Sequence, residues 1–511
     1  MAPDSPHPGT QTDAALSHAA LRRLFFRIFP AVGLAMFGAA LDQTIVAAAL
    51  PAIARSVGEV ERISWVVVAY LVGTTIAAPV HGRLGDAFGR RRMLLISLAL
   101  YAAGAMLCAV APTLDTLALA RLVQGLGGGG LISLSIALIG EFVPPRERGR
   151  FQAWIAAIFA AASAAGPVVG GLLTEWLGWR AVFMVQPPLA LVAAWLVVRR
   201  LDGAAPGSAK GFAFDWMGLA LFVLFVAPTL LALDQLRRLA PGPLAVAAAL
   251  GALAALALVL LWRQEKRAAD PLLPLPVLGE PSIWRANLSS ALVSGAFVGA
   301  IAFLPIYFVA VRGLSPAASG IALLPLAAAA ALGAIASGQL LARTGRTMIW
   351  PTIGLTLSAV TMASVALSTG ALAVPVVALL LGLASIALGT SFPMVQVVVQ
   401  FAAGRERLGA ATASVQFIRS LGAASGTALM GTVLFGTLVA HGGTGEGGGD
   451  AAALFVALVN QGPDALADLA EATRAEFREA MTGAFRAAFL AAALMLAGAA
   501  WLSARVPLQR V

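Results

Sequence analysis

Cysteine is all but missing from this chain. Its 511 residues hold one, Cys108, so an internal disulfide and a thiolate metal site are excluded. Histidine is nearly as scarce. His7, His18, His81 and His441 avoid the centres of the apolar runs, which argues against a histidine proton relay, and His81 reads as a loop residue beside a glycine turn. Charge is thin as well: 11% of residues are Asp, Glu, Lys or Arg, against 60% hydrophobic and a mean hydropathy of +0.89. A soluble globular domain does not have that balance. No metal-ligand cluster, phosphate loop or nucleophile–base pair stands out, so no catalytic residue, metal or cofactor is assigned and no enzyme is expected. The net charge of +10 does not point to nucleic acid, because the basic residues lie in connections between apolar runs.

Those runs are what the chain has in abundance. A hydrocarbon core of ~30 Å needs about twenty residues at ~1.5 Å each. Fourteen stretches meet that need: 25–50, 63–81, 93–111, 116–140, 151–173, 180–198, 214–234, 242–262, 286–310, 317–341, 347–368, 371–400, 409–436 and 484–504. The seventh and eighth are the least marked, and twelve is the alternative count. The fold class is therefore an all-α integral membrane protein. The polar tail 1–22 lacks the early charges, short apolar core and cleavage site of a secretory signal.

Charge orients the spans. With both tails and the even-numbered connections in the cytoplasm, 23 of the 34 Lys and Arg lie there and 9 outside, while Arg121 and Arg419 fall inside spans. That asymmetry is what the positive-inside rule requires, and an odd number of spans would scramble it. Both termini are thus placed in the cytoplasm and the protein in the cytoplasmic (inner) membrane. The outside segment 437–482 reads as a flexible loop with a short amphipathic surface helix around Asp464–Glu479.

The densest connection is Gly82–Arg92, Gly-Arg-Leu-Gly-Asp-Ala-Phe-Gly-Arg-Arg-Arg. Gly82 and Gly89 are read as turn residues, and Asp86 as the counter-charge of Arg83, Arg90, Arg91 and Arg92. The stretch resembles the loop between helices 2 and 3 of the major facilitator superfamily of transporters. That family usually has arginine after the aspartate, where this chain has Ala87. Gly338–Arg346 repeats the Gly-x-Leu-x-x-x-x-Gly-Arg frame at an offset of 256, and Arg405-Glu-Arg407 repeats Arg146-Glu-Arg148 at 259. Two related halves follow: a six-helix bundle over 23–200, two linker helices over 201–268 and a second six-helix bundle over 269–511. The layout resembles the fourteen-helix drug:proton antiporter branch of the superfamily.

Three further stretches carry the resemblance. Leu41–Pro51 is similar to the family's Leu-Asp-x-Thr-Ile-Val motif and contains Asp42, the one acid read as deep inside a span. A carboxylate there costs ~2.5–3.5 kcal/mol on insertion scales and normally faces a cavity, a partner or both. Arg121-Leu-Val-Gln124-Gly125 matches the family's Arg-x-x-Gln-Gly motif, which the resemblance implicates in proton transfer. Asp42 and Arg121 both sit ~9–12 Å inside the outer face, a depth that suits a pair. A packing hydrogen bond for Asp42 and snorkelling for Arg121 are the alternatives. Gly166-Pro167-Val-Val-Gly170-Gly171 matches the antiporters' Gly-Pro-x-x-Gly-Gly, associated with export, and a simple proline kink is its alternative. Near the start of span 6, Gln186 stands where the family usually has asparagine.

The second half says less. Arg419 lies inside span 13 near Gln416, with no deep acid in spans 9 to 14. It must therefore use polar side chains, carbonyls, water or substrate. Phe297, Phe303, Tyr307, Phe392, Gln396 and Gln400 are candidates to line a cavity, although aromatic residues at helical spacing more often pack. The resemblance implies a monomeric, proton-coupled exporter of lipophilic or cationic small molecules, including drugs, working by alternating access, with membrane lipid as its surroundings and any periplasmic adaptor left open. A dedicated exporter of one metabolite, siderophore or lipid is the alternative, and a non-transporting membrane sensor a remote one.

Overall fold

The computed structural model describes residues 18–510 apart from 58–61, 202–211, 237–240, 274, 315, 370–371, 405–406, 443–450 and 462–470. Among these residues every regular element is a helix. In chain order they are α1 (His18–Val57), α2 (Ser64–Phe88), α3 (Arg90–Val110), α4 (Leu114–Phe142), α5 (Pro145–Leu177), α6 (Ala181–Met184) and α7 (Gln186–Arg200). Then come α8 (Trp216–Leu236), α9 (Pro241–Glu265), α10 (Leu275–Leu278), α11 (Pro281–Ala310), α12 (Pro316–Thr344) and α13 (Ile349–Leu367). The last are α14 (Val374–Gly389), α15 (Ser391–Ala403), α16 (Leu408–Gly442), α17 (Ala451–Gln461) and α18 (Glu471–Ala504).

Among the described residues thirteen helical stretches are long and apolar enough to cross a membrane. Each coincides with one expected span. The remaining expected span, the tenth, coincides with α12, a helix of 29 residues. Trp176, Trp195, Trp216, Leu191 and Leu494 are each more than half exposed on the outside of the molecule, a surface that a lipid environment would cover.

The helices pair in the same pattern twice. In the first half α2 packs on α4, α1 on α5 and α3 on α7, and in the second α12 packs on α14, α11 on α16 and α13 on α18. The halves meet where α5 lies along α12 and α16 along α2. Gly89 and Gly345, 256 residues apart, both take positive φ values, 93° and 64°, so each copy of the Gly-Arg frame uses its glycine to leave a helix.

Three expectations about local structure need correction. The polar stretch from Gly82 is not a turn, because α2 continues as helix to Phe88 and only Gly89 breaks it. Side-chain partners explain the persistence: Arg83 pairs with Asp270 at 2.7 Å and Asp86 with Arg90 at 2.6 Å. For the same reason His81 is a buried helix residue, its Nδ1 3.0 Å from the Ala77 carbonyl of its own helix. Third, the short helix after α16 is the apolar α17 and not the acidic stretch. Residues 464–470 lie outside the described residues, and Glu471–Glu479 forms the opening turns of α18. Phe477, Met481 and Ala484 extend that helix's buried face and hold those turns in place. The arginine repeat at 405–407 lies partly outside the described residues.

Candidate functional site

Asp42 and Arg121 meet. Asp42 is completely buried on α1 and Arg121 is 1% exposed on α4. One guanidinium nitrogen, Nη1, reaches both carboxylate oxygens, Oδ1 at 2.9 Å and Oδ2 at 2.8 Å. Burying two charges is tolerable only when further hydrogen bonds support the pair, and several do. Arg121 Nη1 also donates to Gln124 Oε1 at 2.8 Å, and its Nε donates to the Val66 carbonyl at 3.2 Å. Gln124 Nε2 donates to Asp42 Oδ1 at 3.1 Å. The Tyr70 ring lies under the guanidinium, 4.1 Å from its carbon to the ring centroid. Cys108, on α3, donates weakly to Gln124 Oε1 at 3.5 Å.

Gln186, noted in the sequence only as a departure from the family's asparagine, gains a role in the structure. Its Nε2 donates to Asp42 Oδ1 at 2.8 Å and its Oε1 accepts from Gln124 Nε2. It sits at the first position of α7, directly after the break between α6 and α7, where Pro187 and Pro188 follow. A glutamine held fully inside a span and followed by two prolines is a signal that could have found it, since a buried amide needs partners.

The small residues let these helices close on one another. A Cβ on Gly170 would lie 2.5 Å from the Ile45 carbonyl, and one on Gly166 would overlap the Thr44 hydroxyl. Both glycines of α5 therefore face α1 within a turn of Asp42. Thr44 adds a hydrogen bond from its hydroxyl to the Ala162 carbonyl at 3.1 Å. Gly171 faces open space and Pro167 is exposed, so neither takes part in that contact. On α4, Gly125 approaches the Tyr70 backbone of α2 so closely that a Cβ there would overlap it.

A second cluster joins the two halves. Asp86 Oδ1 accepts from the Gly409 amide at 3.0 Å and Oδ2 from the Ala410 amide at 3.1 Å. It thus caps the N-terminus of α16, where unpaired amides and the helix dipole favour an anion. Arg90 donates to Asp86 at 2.6 Å and to Glu141 at 2.7 Å, and Arg91 donates to the Val198 carbonyl at 2.7 Å. A Cβ on Gly82 would lie 2.6 Å from the Gly409 carbonyl, so this glycine serves a helix crossing between the halves. Gln400 adds a bond between the halves by donating to the Ile136 carbonyl at 3.2 Å, and it also donates to Thr412 at 3.0 Å.

The remaining candidates are scattered. Gln396 is buried and donates to Thr412 at 3.3 Å. Tyr307 is fully buried between Phe308, Phe485 and Phe489 in the core of the second half. Phe303 packs near Gly431. Gln416 and Arg419 are part-buried on α16, and Arg419 lies over the Phe392 ring at 4.4 Å.

Residues 32–427 match the sequence profile of the Major Facilitator Superfamily. The chain belongs to that family. It is 34% identical over 408 residues to an MFS-type transporter of Mycobacterium tuberculosis, a match that covers 80% of this chain and 59% of that one. The chain thus spans less than two thirds of that relative's length. With the multidrug transporter protein MdtP of Bacillus subtilis it shares 30% identity over 406 residues, 78% of this chain and 74% of MdtP. The human organic anion transporter MFSD10 superposes with a TM-score of 0.63 over 94% of this chain and 99% of its own, at 17% identity, a likeness of fold alone. The family assignment and the helix content make the chain a multi-pass membrane protein.

Proposed function

We propose that this transporter is a proton-coupled exporter of lipophilic small molecules working by alternating access. Asp42 is the proton-coupling group and Arg121 its counter-ion. The observation that carries the reading is the Asp42 carboxylate itself, fully buried, with donors from Arg121, Gln124 and Gln186. Adding a proton to Asp42 cancels the charge that holds Arg121, turning a neutral pair into an uncompensated buried cation. The helices around it then have reason to rearrange, because an unpaired buried charge is far more costly than a paired one. Since α1 carries Asp42 and packs on α5 through Gly166 and Gly170, a change at the pair acts directly on a helix that borders the other half.

The Asp86 cluster supplies the second state-dependent element. With the arginine-rich end read as cytoplasmic, the contacts of Asp86, Gly82 and Gln400 would hold the halves together on that side. Export also agrees with the Gly166–Gly171 stretch and with the multidrug relative.

Asp42→Asn tests the coupling, because it keeps size and much of the hydrogen bonding while removing titration. In reconstituted vesicles, substrate addition should release or take up protons with the wild type and not with the variant, which still inserts. Asp42→Glu should retain part of the exchange. A proton-to-substrate ratio unchanged in Asp42→Asn would place the proton path elsewhere.

A further inference from the structure

The two arginines inside spans live in opposite surroundings. Arg121 has a carboxylate, an amide, a carbonyl and a ring around it. Arg419 is hydrogen-bonded to none of the first three among the described residues. Among the described residues no carboxylate, carbonyl or hydroxyl accepts a hydrogen bond from it, and its buried Nε has no partner. Its one defined contact is the Phe392 ring, whose centroid lies 4.4 Å from the guanidinium carbon, with Phe297 a further 6.5 Å on.

Position makes this unusual. Arg419 lies ten residues along α16 from Gly409, which touches Gly82 of α2 near the start of α16. That is ~15 Å of helix, about half of a ~30 Å hydrocarbon core. An arginine at that depth can snorkel to neither surface without a long detour. Neighbouring positions on α16 are committed to packing: Gly422 and Gly426 against Ala291 and Gly295 of α11, and Phe417 against Phe222 of α8. Arg419 is part-buried rather than packed away. The Asp42–Arg121 pair is neutral as a unit, so it leaves the charge of Arg419 uncompensated.

We propose that Arg419 receives the anionic group of the cargo, and that the cargo is an amphiphilic organic anion: a carboxylate or similar oxyanion on an aromatic body. The guanidinium supplies a planar set of donors matched to an oxyanion. Phe392 and Phe297 supply faces for the apolar part. A cationic cargo is disfavoured, since it would meet an uncompensated like charge in a low-dielectric interior. The word cargo rests on the export reading above, but recognition by Arg419 is measurable without transport.

The test uses the full chain in nanodiscs and three probes with one ring system, 1-pyrenebutyrate, 1-pyrenebutanol and 1-pyrenebutylamine. Binding is read by tryptophan-to-pyrene energy transfer after subtraction of empty nanodiscs. The wild type should bind the butyrate at least tenfold more tightly than the alcohol or the amine. Arg419→Gln should lose that preference, and Arg419→Lys should keep part of it. A wild type that holds the alcohol or amine as tightly as the butyrate overturns the proposal, whether or not the glutamine variant folds. So does an Arg419→Gln protein that still prefers the butyrate. These readouts need no gradient, so a failure of proton coupling at Asp42 leaves them intact, and proton exchange without charge preference defeats this proposal alone.

Discussion

At the scale of single residues, Asp42 and Arg121 were legible because a charge inside an apolar run has so few explanations. Each is costly alone at that depth, and similar depths on two spans suggest one another as partners. Gln186 was not legible for the opposite reason. Neutral amides are cheap enough to appear anywhere in a span, and nothing local says that this one points at α1. Only the break between α6 and α7 aims it there, and that break was read as ordinary span. Its role is open to test. Gln186→Leu removes one donor from Asp42 Oδ1 and an acceptor from Gln124, leaving buried groups under-satisfied at about 1–3 kcal/mol. The proton-to-substrate ratio in vesicles should fall by at least threefold. Gln186→Asn keeps an amide on a shorter stem and should recover part of the loss. A leucine variant with a wild-type ratio would reduce Gln186 to a packing residue.

At the scale of elements, periodicity and length located the spans well, and their ends poorly. Helices ran past the apolar stretches wherever polar residues found partners, as α2 did through Gly82–Phe88 and α18 did through Glu471–Glu479. Apolar length marks where a helix crosses lipid, whereas helix ends depend on capping and pairing that a hydropathy pattern does not contain. The consequence for Asp86 is mechanical, since it rides on a helix rather than a loop and caps α16 across the boundary between halves. In the second copy of the frame the corresponding residue is Ala342, which has no carboxylate to offer α5. The carboxylate latch is therefore built into one copy of the repeat. Asp86→Asn keeps one acceptor but loses the charge, forfeiting about 1.5–3 kcal/mol of the charge-assisted bonds to Arg90 and the α16 amides. The sealed state should lose about ten- to a hundredfold in population, and efflux at matched expression should drop by at least tenfold with insertion unchanged. Normal efflux by Asp86→Asn would mean that the cluster only orients the protein.

At the scale of the whole molecule, the repeat at offset 256 was the informative signal, because it announces two halves before any contact is known. The equivalent pairings α2–α4 with α12–α14 and α1–α5 with α11–α16 are the physical form of that repeat. What no repeat can give is which face is cytoplasmic, and only charge and parity bear on that. Among the described residues thirteen stretches meet the length and hydropathy requirement, and α12 adds a further 29-residue helix at the expected tenth position. If α12 crosses, the count is even and both ends of the chain share a face, with the arginine-rich connections beside them. If α12 does not cross, the count is odd, the ends lie on opposite faces, and the positive charges after it fall on the wrong side. Epitope tags at residue 1, residue 511 and the connection at Gly448 separate the two. In intact cells an external protease should cut the Gly448 tag and spare both terminal tags. Cleavage of the residue 511 tag from outside, with Gly448 protected, would take α12 out of the membrane and turn the second half over.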